Sequence, residues 1–181
     1  MKLVRISTMI LIGALIAGCS SGLELNNDYD QQLDFSQFKT FQWVDTAKST
    51  GTQGNNSLIA GRVKSAVVND LTAKGLVESD SDPDLLVIYH VGTQDKVDIT
   101  DYGYGYGYGR WGGAYGAGGG ISTYNYTEGT LIIDIIDAST KQLAWRGTAK
   151  GVLEENPSPE QITKNINTAV AAILSQYPPK K

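Results

Sequence analysis

Cys19 is the only thiol in the chain, and its neighbours are arranged for a reaction. Lys2 and Arg5 give a short basic start, and Ile6 to Ile16 is almost wholly apolar. Ala17 and Gly18 are small, and Cys19 follows directly. The apolar run is too short to span a bilayer, which takes about 20 apolar residues. It has the length of the core of an export signal, about 7–15 residues. A leftover thiol in an exported chain is chemically awkward unless something modifies it. The expected chemistry at Cys19 is therefore lipid attachment, with cleavage after Gly18.

The stretch Leu15-Ile16-Ala17-Gly18-Cys19 resembles the lipobox of bacterial lipoproteins. That resemblance implies a diacylglyceryl group on the cysteine sulfur, removal of residues 1–18, and acylation of the new amine, commonly by palmitate. Two or three acyl chains anchor firmly where one is marginal. Ser20, not an aspartate, follows the cysteine. By resemblance to the sorting rule of enteric bacteria, this implies the outer membrane, facing the periplasm. Loss of Lys2 and Arg5 takes the formal charge from −4 to −6 and leaves 163 of the 181 residues. An acidic chain has no electrostatic footprint for nucleic acid, nor a polybasic patch for anionic lipid. The expected membrane contact is the lipid anchor itself. With Cys19 acylated no disulfide can form, so a hydrophobic core must hold the fold, and a chain of this length can bury one.

Elsewhere the inventory is poor in chemistry. His90 is the only histidine and reads as structural. No spacing suggests a Ser-His-Asp set or a cluster of zinc ligands, so no catalytic residue, metal or cofactor is expected. Asp80, Asp82 and Asp84 alternate as in a calcium loop. Pro83 and the lack of Gly and Glu at the required offsets make them a solvated turn instead. Asp134 and Arg146 fall on one face of adjacent strands and would form a structural pair if the register allows. The unusual stretch is Asp101 to Gly120, with Tyr102, Tyr104, Tyr106, Tyr108, Trp111 and Tyr115 set among glycines. So much glycine makes ordering costly, and the segment reads as a long hairpin loop. Its aromatic rings could stack on sugars, on aromatic partners or at a lipid interface. These six residues are the candidate interaction surface, with peptidoglycan or other envelope proteins as partners. The segment lacks the Gly-Lys-Ser/Thr ending of a phosphate-binding loop.

The supporting elements follow from periodicity. Ser20 to Leu33 is polar and reads as a tether that could reach ~45 Å when extended. A strand is expected over Lys39 to Asp45, and a loop over Thr46 to Asn56. A helix over Ser57 to Lys74 would bury Ile59, Val63, Ala66, Val67 and Leu71, with Gly75 as its stop. After the Asp82-Pro83-Asp84 turn, strands are expected over Leu85 to Val91, Gly129 to Asp137 and Gln142 to Leu153. Strict alternation would put Leu131, Ile133, Ile135, Leu143 and Trp145 on one face. Ile132, Asp134, Ile136, Ala144 and Arg146 would then form a mixed face, partly covered by another element or a partner. Ser158 is the expected N-cap of the last helix, with Pro159 at its first position and Gln161 completing a capping box. Ile162, Ile166, Ala169, Val170, Ile173 and Leu174 are its apolar stripe, and residues 178–181 read as a tail. The expected fold is a single α+β domain over residues 34–177, following a lipidated N-terminus and tether at 19–33. It is a two-layer sandwich: a mainly antiparallel sheet of about 4–5 strands with two helices packed on one face. The first strand-helix-strand step could be a parallel crossover.

Several motifs taken together resemble one family of bacterial lipoproteins, known as domain of unknown function 4136. They are Asp34-Phe35 with Phe38, Phe41 and Trp43; Asp82-Pro83-Asp84-Leu85-Leu86-Val87; Gly129-Thr130-Leu131; and Leu143-Ala144-Trp145-Arg146-Gly147. The resemblance covers roughly Phe35 to Tyr177. It implies the α+β fold, the envelope address and a Gly- and Tyr-rich stretch between central strands, and it carries no catalytic residues. The expected role is a non-enzymatic cell-envelope lipoprotein serving as an interaction or envelope-maintenance module. The alternative is a binding module for a glycan or small apolar ligand, using the Tyr/Gly segment or the mixed sheet face.

Overall fold

The computed structural model describes residues 22–45, 57–101 and 121–180, with 97–101 and 121–124 described through backbone pairing alone. Among these, six strands form one open sheet in the order β1-β6-β5-β4-β2-β3. They are β1 (Glu24–Tyr29), β2 (Thr40–Trp43), β3 (Val77–Glu78), β4 (Leu85–Asp101), β5 (Ile121–Asp137) and β6 (Leu143–Val152). The helices are α1 (Ser57–Ala73) and α2 (Pro159–Leu174). The fold is thus α+β with two helices, as the sequence indicates. The sheet is larger than expected and is mixed: β2 runs parallel to both β3 and β4, while β1, β6, β5 and β4 are antiparallel neighbours.

Both helices cover the same face. On α1, Val63, Val67 and Leu71 recur every fourth residue and are fully enclosed. The helix stops where Gly75 takes a φ of +93°, a conformation glycine adopts without steric cost. Leu76 N–H then reaches back to Leu71 C=O at 3.1 Å, the six-to-one bond of a Schellman stop. On α2, the Ser158 hydroxyl accepts from the Gln161 N–H at 3.2 Å, as the cap motif predicts. The reciprocal bond, from Ser158 N–H to the Gln161 amide oxygen, is not made; the Gln161 amide nitrogen donates to Asn165 Oδ1. Val170, Ile173 and Leu174 of α2 meet Val87, Ile133, Ile135 and Trp145 of the sheet in one core.

Three expectations are corrected. The polar stretch expected to be a tether carries β1, which pairs with β6 from Glu24↔Lys150 to Tyr29↔Trp145. It stays in place through backbone bonds and an aromatic corner. Phe35 meets Tyr29, Phe38 and Tyr177 edge-on at centroid distances of 5.8–6.2 Å. Next, β4 and β5 run ten and eight residues past the expected limits at Val91 and Gly129. Polar residues there give no burial pattern, so only backbone pairing, out to Asp101↔Ile121, extends them. Last, Leu143 does not share a face with Trp145. Trp145 opposes Ile135 while Leu143 opposes Ile136, so Ala144 is an extra residue in a β-bulge. The bulge flips the parity and leaves Leu143 44% exposed. The proposed signal and Cys19, the 46–56 loop and residues 102–120 lie outside the described residues.

The start of the sheet is pinned by Asp84. Its carboxylate accepts from the N–H groups of Lys39 and Thr40 at 2.8 and 2.9 Å, and its own N–H donates to the Thr40 hydroxyl. These backbone donors hold its carboxyl below the ordinary aspartate value. The turn expected to be merely solvated therefore splices β2 to β4.

Candidate functional site

Two regions of the described structure gather side chains that the core does not require. The first is on the open face of the sheet. Asp134 of β5 sits directly opposite Arg146 of β6, which in turn opposes Asp28 of β1. The Arg146 guanidinium grips Asp134 with two bonds of 2.6 Å. His90 Nε2 from β4 stands 3.4 Å from the same carboxylate. Asp134 is only 5% exposed. The bond to Asp134 foremost, then the nearby charges of Asp134 and Asp28, hold the Arg146 proton more tightly than usual, against the effect of burial. The pair suggested by strand parity is thus formed, and the lone histidine joins it. Around this group lie half-buried Leu86, Ile88, Ile132 and Ile136, and no described element covers them. Arg146 holds one carboxylate with a bidentate fork, so the arrangement locks the register of β5 against β6. Among the described residues, no three of His, Cys, Asp and Glu stand close enough to hold a metal.

The second region lies between the helices and the sheet, at the end where β4 and β5 leave the other strands. There a cleft of about 550 Å³ opens between the first halves of α1 and α2. Ile59 and Val63 form one wall, Ile162 and Ile166 the other, and Val91, Leu131 and Ala149 the floor. The volume lies within the range of ligand sites, about 300–1,000 Å³. The cause of the space is legible in β6, whose helix-side positions are Trp145, Gly147, Ala149 and Gly151. The Trp145 ring folds over Gly147, where an added Cβ would lie 2.2 Å from the indole and 2.5 Å from Ile173. Beyond it, Ala149 and Gly151 present almost nothing to fill the layer. Leu23 lies over Gly151, and Leu153 over Gly129, each closer than a Cβ there would tolerate. They form the lips of the cleft. The sequence signal for this site, missed by looking for apolar stripes, is the small residue at every second position of β6.

The sequence-derived candidates fall elsewhere. Gly18, Cys19, Tyr102, Tyr104, Tyr106, Tyr108, Trp111 and Tyr115 lie outside the described residues. The backbone pairing of Asp101 with Ile121 does bring together the two ends from which the Tyr/Gly segment springs.

A family model for a domain of unknown function, DUF4136, matches residues 25–179. The chain belongs to that family. The match begins inside β1, in keeping with β1 being part of the domain. No curated protein matches the chain. Among solved structures, a PDZ domain protein from Parabacteroides distasonis is 18% identical, with a TM-score of 0.58 over 87% of this chain. This chain spans only 36% of that protein's length, and the likeness is one of fold. A PelC dodecamer from Paraburkholderia phytofirmans is 11% identical over 88% of this chain and 99% of its own, with a TM-score of 0.48. A variant of the same dodecamer gives 12%, 84%, 95% and 0.47. No helix among the described residues of this DUF4136 member is long and apolar enough to cross a membrane.

Proposed function

We propose that this DUF4136 protein is a non-enzymatic, lipid-anchored module of the bacterial cell envelope whose helix–sheet cleft holds an elongated apolar ligand. Its address is the outer membrane, facing the periplasm, through a lipid on Cys19. The observation that carries the binding role is the cleft. It is large, walled by Ile59, Val63, Ile162 and Ile166, and lined on β6 by Ala149 and Gly151, which are too small to fill it. Apolar side chains lining an open cleft face water, and an apolar guest would remove that surface from it. Among the described residues the one charged group lining the cleft is the Glu154 carboxylate, which disfavours an anionic guest.

The test is a thermal melt of the unacylated chain from residue 19 with neutral alkyl alcohols of increasing length. The melting temperature should rise with chain length, as expected for a ligand that binds the folded state alone. A flat series would contradict the binding role. Native mass of the chain extracted from membranes tests the anchor, since the lipid adds a defined increment at Cys19.

A second reading, docking of an envelope partner, is favoured by the open sheet face, where half-buried Leu86, Ile88, Ile132 and Ile136 surround the ionic group. Photo-crosslinkers placed at Ile88 and Thr148 should then trap a specific partner in intact cells, and crosslinkers at Leu153 should not.

A further inference from the structure

We infer that the occupant of the cleft is an acyl chain of the lipid on this protein's own Cys19, which partitions between the cleft and the bilayer. This rests on the lipid-anchored reading above and names the ligand of the same cleft.

Three observations converge. The first is position. Leu23 forms a lip of the cleft by lying over Gly151, and the chain turns there through Gly22 at a φ of +59°. Cys19 is four residues before Leu23, at most ~14 Å of extended backbone. A group attached to Cys19 is therefore confined to the neighbourhood of the cleft mouth. The second is chemistry. An acyl chain needs no hydrogen-bond partner. The floor and walls offer Val63, Val91, Leu131 and Ala169, while the polar Thr93 and Asn165 belong to exposed positions. A free fatty acid would bring a carboxylate toward Glu154, whereas a chain held through a thioether-linked glyceride or an amide brings no charge. The third is concentration. A short covalent tether presents its ligand at an effective concentration on the order of millimolar, so even a modest intrinsic affinity fills the cleft whenever the anchor is out of the bilayer. Leu23, the cleft mouth and the departing β4–β5 ribbon lie at one end of the sheet, so the same end faces the membrane when the anchor is inserted. Cleft and bilayer then compete for one chain, and their relative affinities set its distribution.

The single cysteine makes the idea testable without detergent. The mature chain from residue 19 is alkylated at Cys19 with either a methyl or a hexadecyl reagent. Each product is titrated with the neutral apolar dye N-phenylnaphthylamine. The methyl-capped chain should bind one dye per chain. The hexadecyl-capped chain should bind it at least tenfold more weakly and remain monomeric on gel filtration, because its own tail fills the cleft. Ile166→Glu and, as a milder filling change, Ala169→Phe should each weaken dye binding to the methyl-capped chain at least tenfold, with melting curves reporting that they fold. Equal dye affinity of the two capped chains, or micelle-like assembly of the hexadecyl form, would overturn the inference while leaving the cleft as a binding site. Absence of dye binding to the methyl-capped chain would overturn the binding role and the inference together. An unmodified Cys19 on protein extracted from membranes would overturn the inference through the anchor, with the cleft reading intact.

Discussion

On the helix side of the sheet, β6 presents Gly147, Ala149 and Gly151; on the open side the same strand presents Arg146, Thr148 and Lys150. One side has too little side chain to fill its layer, and space results. On the other side Arg146 clasps Asp134 across the neighbouring strand, and the register is fixed there. The contrast separates two tasks. Closing a two-layer core requires only that small residues sit beneath the crossing helix, as Gly147 does beneath Trp145 and Ile173. Continuing small residues past that point, at Ala149 and Gly151, leaves a cleft that a stable fold does not need. The open side shows how a sheet lacking a described second cover keeps its alignment through Asp134 and Arg146.

The comparison breaks most visibly at Gly147. Gly147→Val should destabilise the chain by about 3 kcal/mol in urea unfolding, since the added atoms meet Trp145 and Ile173. A loss below about 1 kcal/mol would mean that the layer is looser than described. On the opposite side, Arg146→Met should cost about 2 kcal/mol by leaving the buried Asp134 carboxylate without its fork. The double change Arg146→Met with Asp134→Leu should recover most of that loss, because the penalty belongs to the orphaned charge. A double variant as unstable as Arg146→Met alone would show that the pair itself is a net stabiliser.

At the acidic end, the sheet's splice should give way. Donors to Asp84 lower its carboxyl value, and the Ser139 hydroxyl bond, with backbone N–H bonds from Ser139 and Thr140, does the same at Asp137 against the effect of burial. A carboxyl depressed in the folded state stabilises it at pH above the unfolded value, ~3.9 for aspartate, and loses that contribution as pH falls through the lowered folded value. Stability should therefore decline below about pH 4. Asp84→Asn should remove part of that slope at a cost of about 1 kcal/mol at neutral pH. An unchanged slope would place the acid sensitivity elsewhere. The smallest effect is expected at Leu143. The bulge puts it outward, so Leu143→Gln should change stability by no more than about 0.5 kcal/mol. Strict alternation, which would bury it beside Trp145, demands several times that.

Where the sequence was legible, a side-chain pattern and a local motif agreed. Ser158-Pro159 announced the start of α2, and Val63, Val67 and Leu71 announced the buried stripe of α1. The family resemblance read from the DPDLLV and AWRG motifs agrees with the family match. What escaped was set by backbone alone or by register. Glu24–Tyr29 carries no apolar alternation, and its place at the sheet edge comes from bonds to β6. One extra residue at Ala144 reverses the parity of Leu143, and an insertion of that kind leaves no periodic trace. His90 could be joined to Asp134 only once β4 was aligned with β5. The cleft escaped because apolar stripes mark what is filled, whereas Gly129, Ala149 and Gly151 mark what is not.

Amide chemical-shift mapping of the unacylated chain from residue 19 with 1-decanol tests the central claim most directly, because it reads both faces of the sheet at once. The account predicts saturable shifts at Gly129, Ala149, Gly151 and Ala169, with His90, Asp134 and Arg146 unmoved. Shifts confined to the open face, or none that saturate, would contradict it.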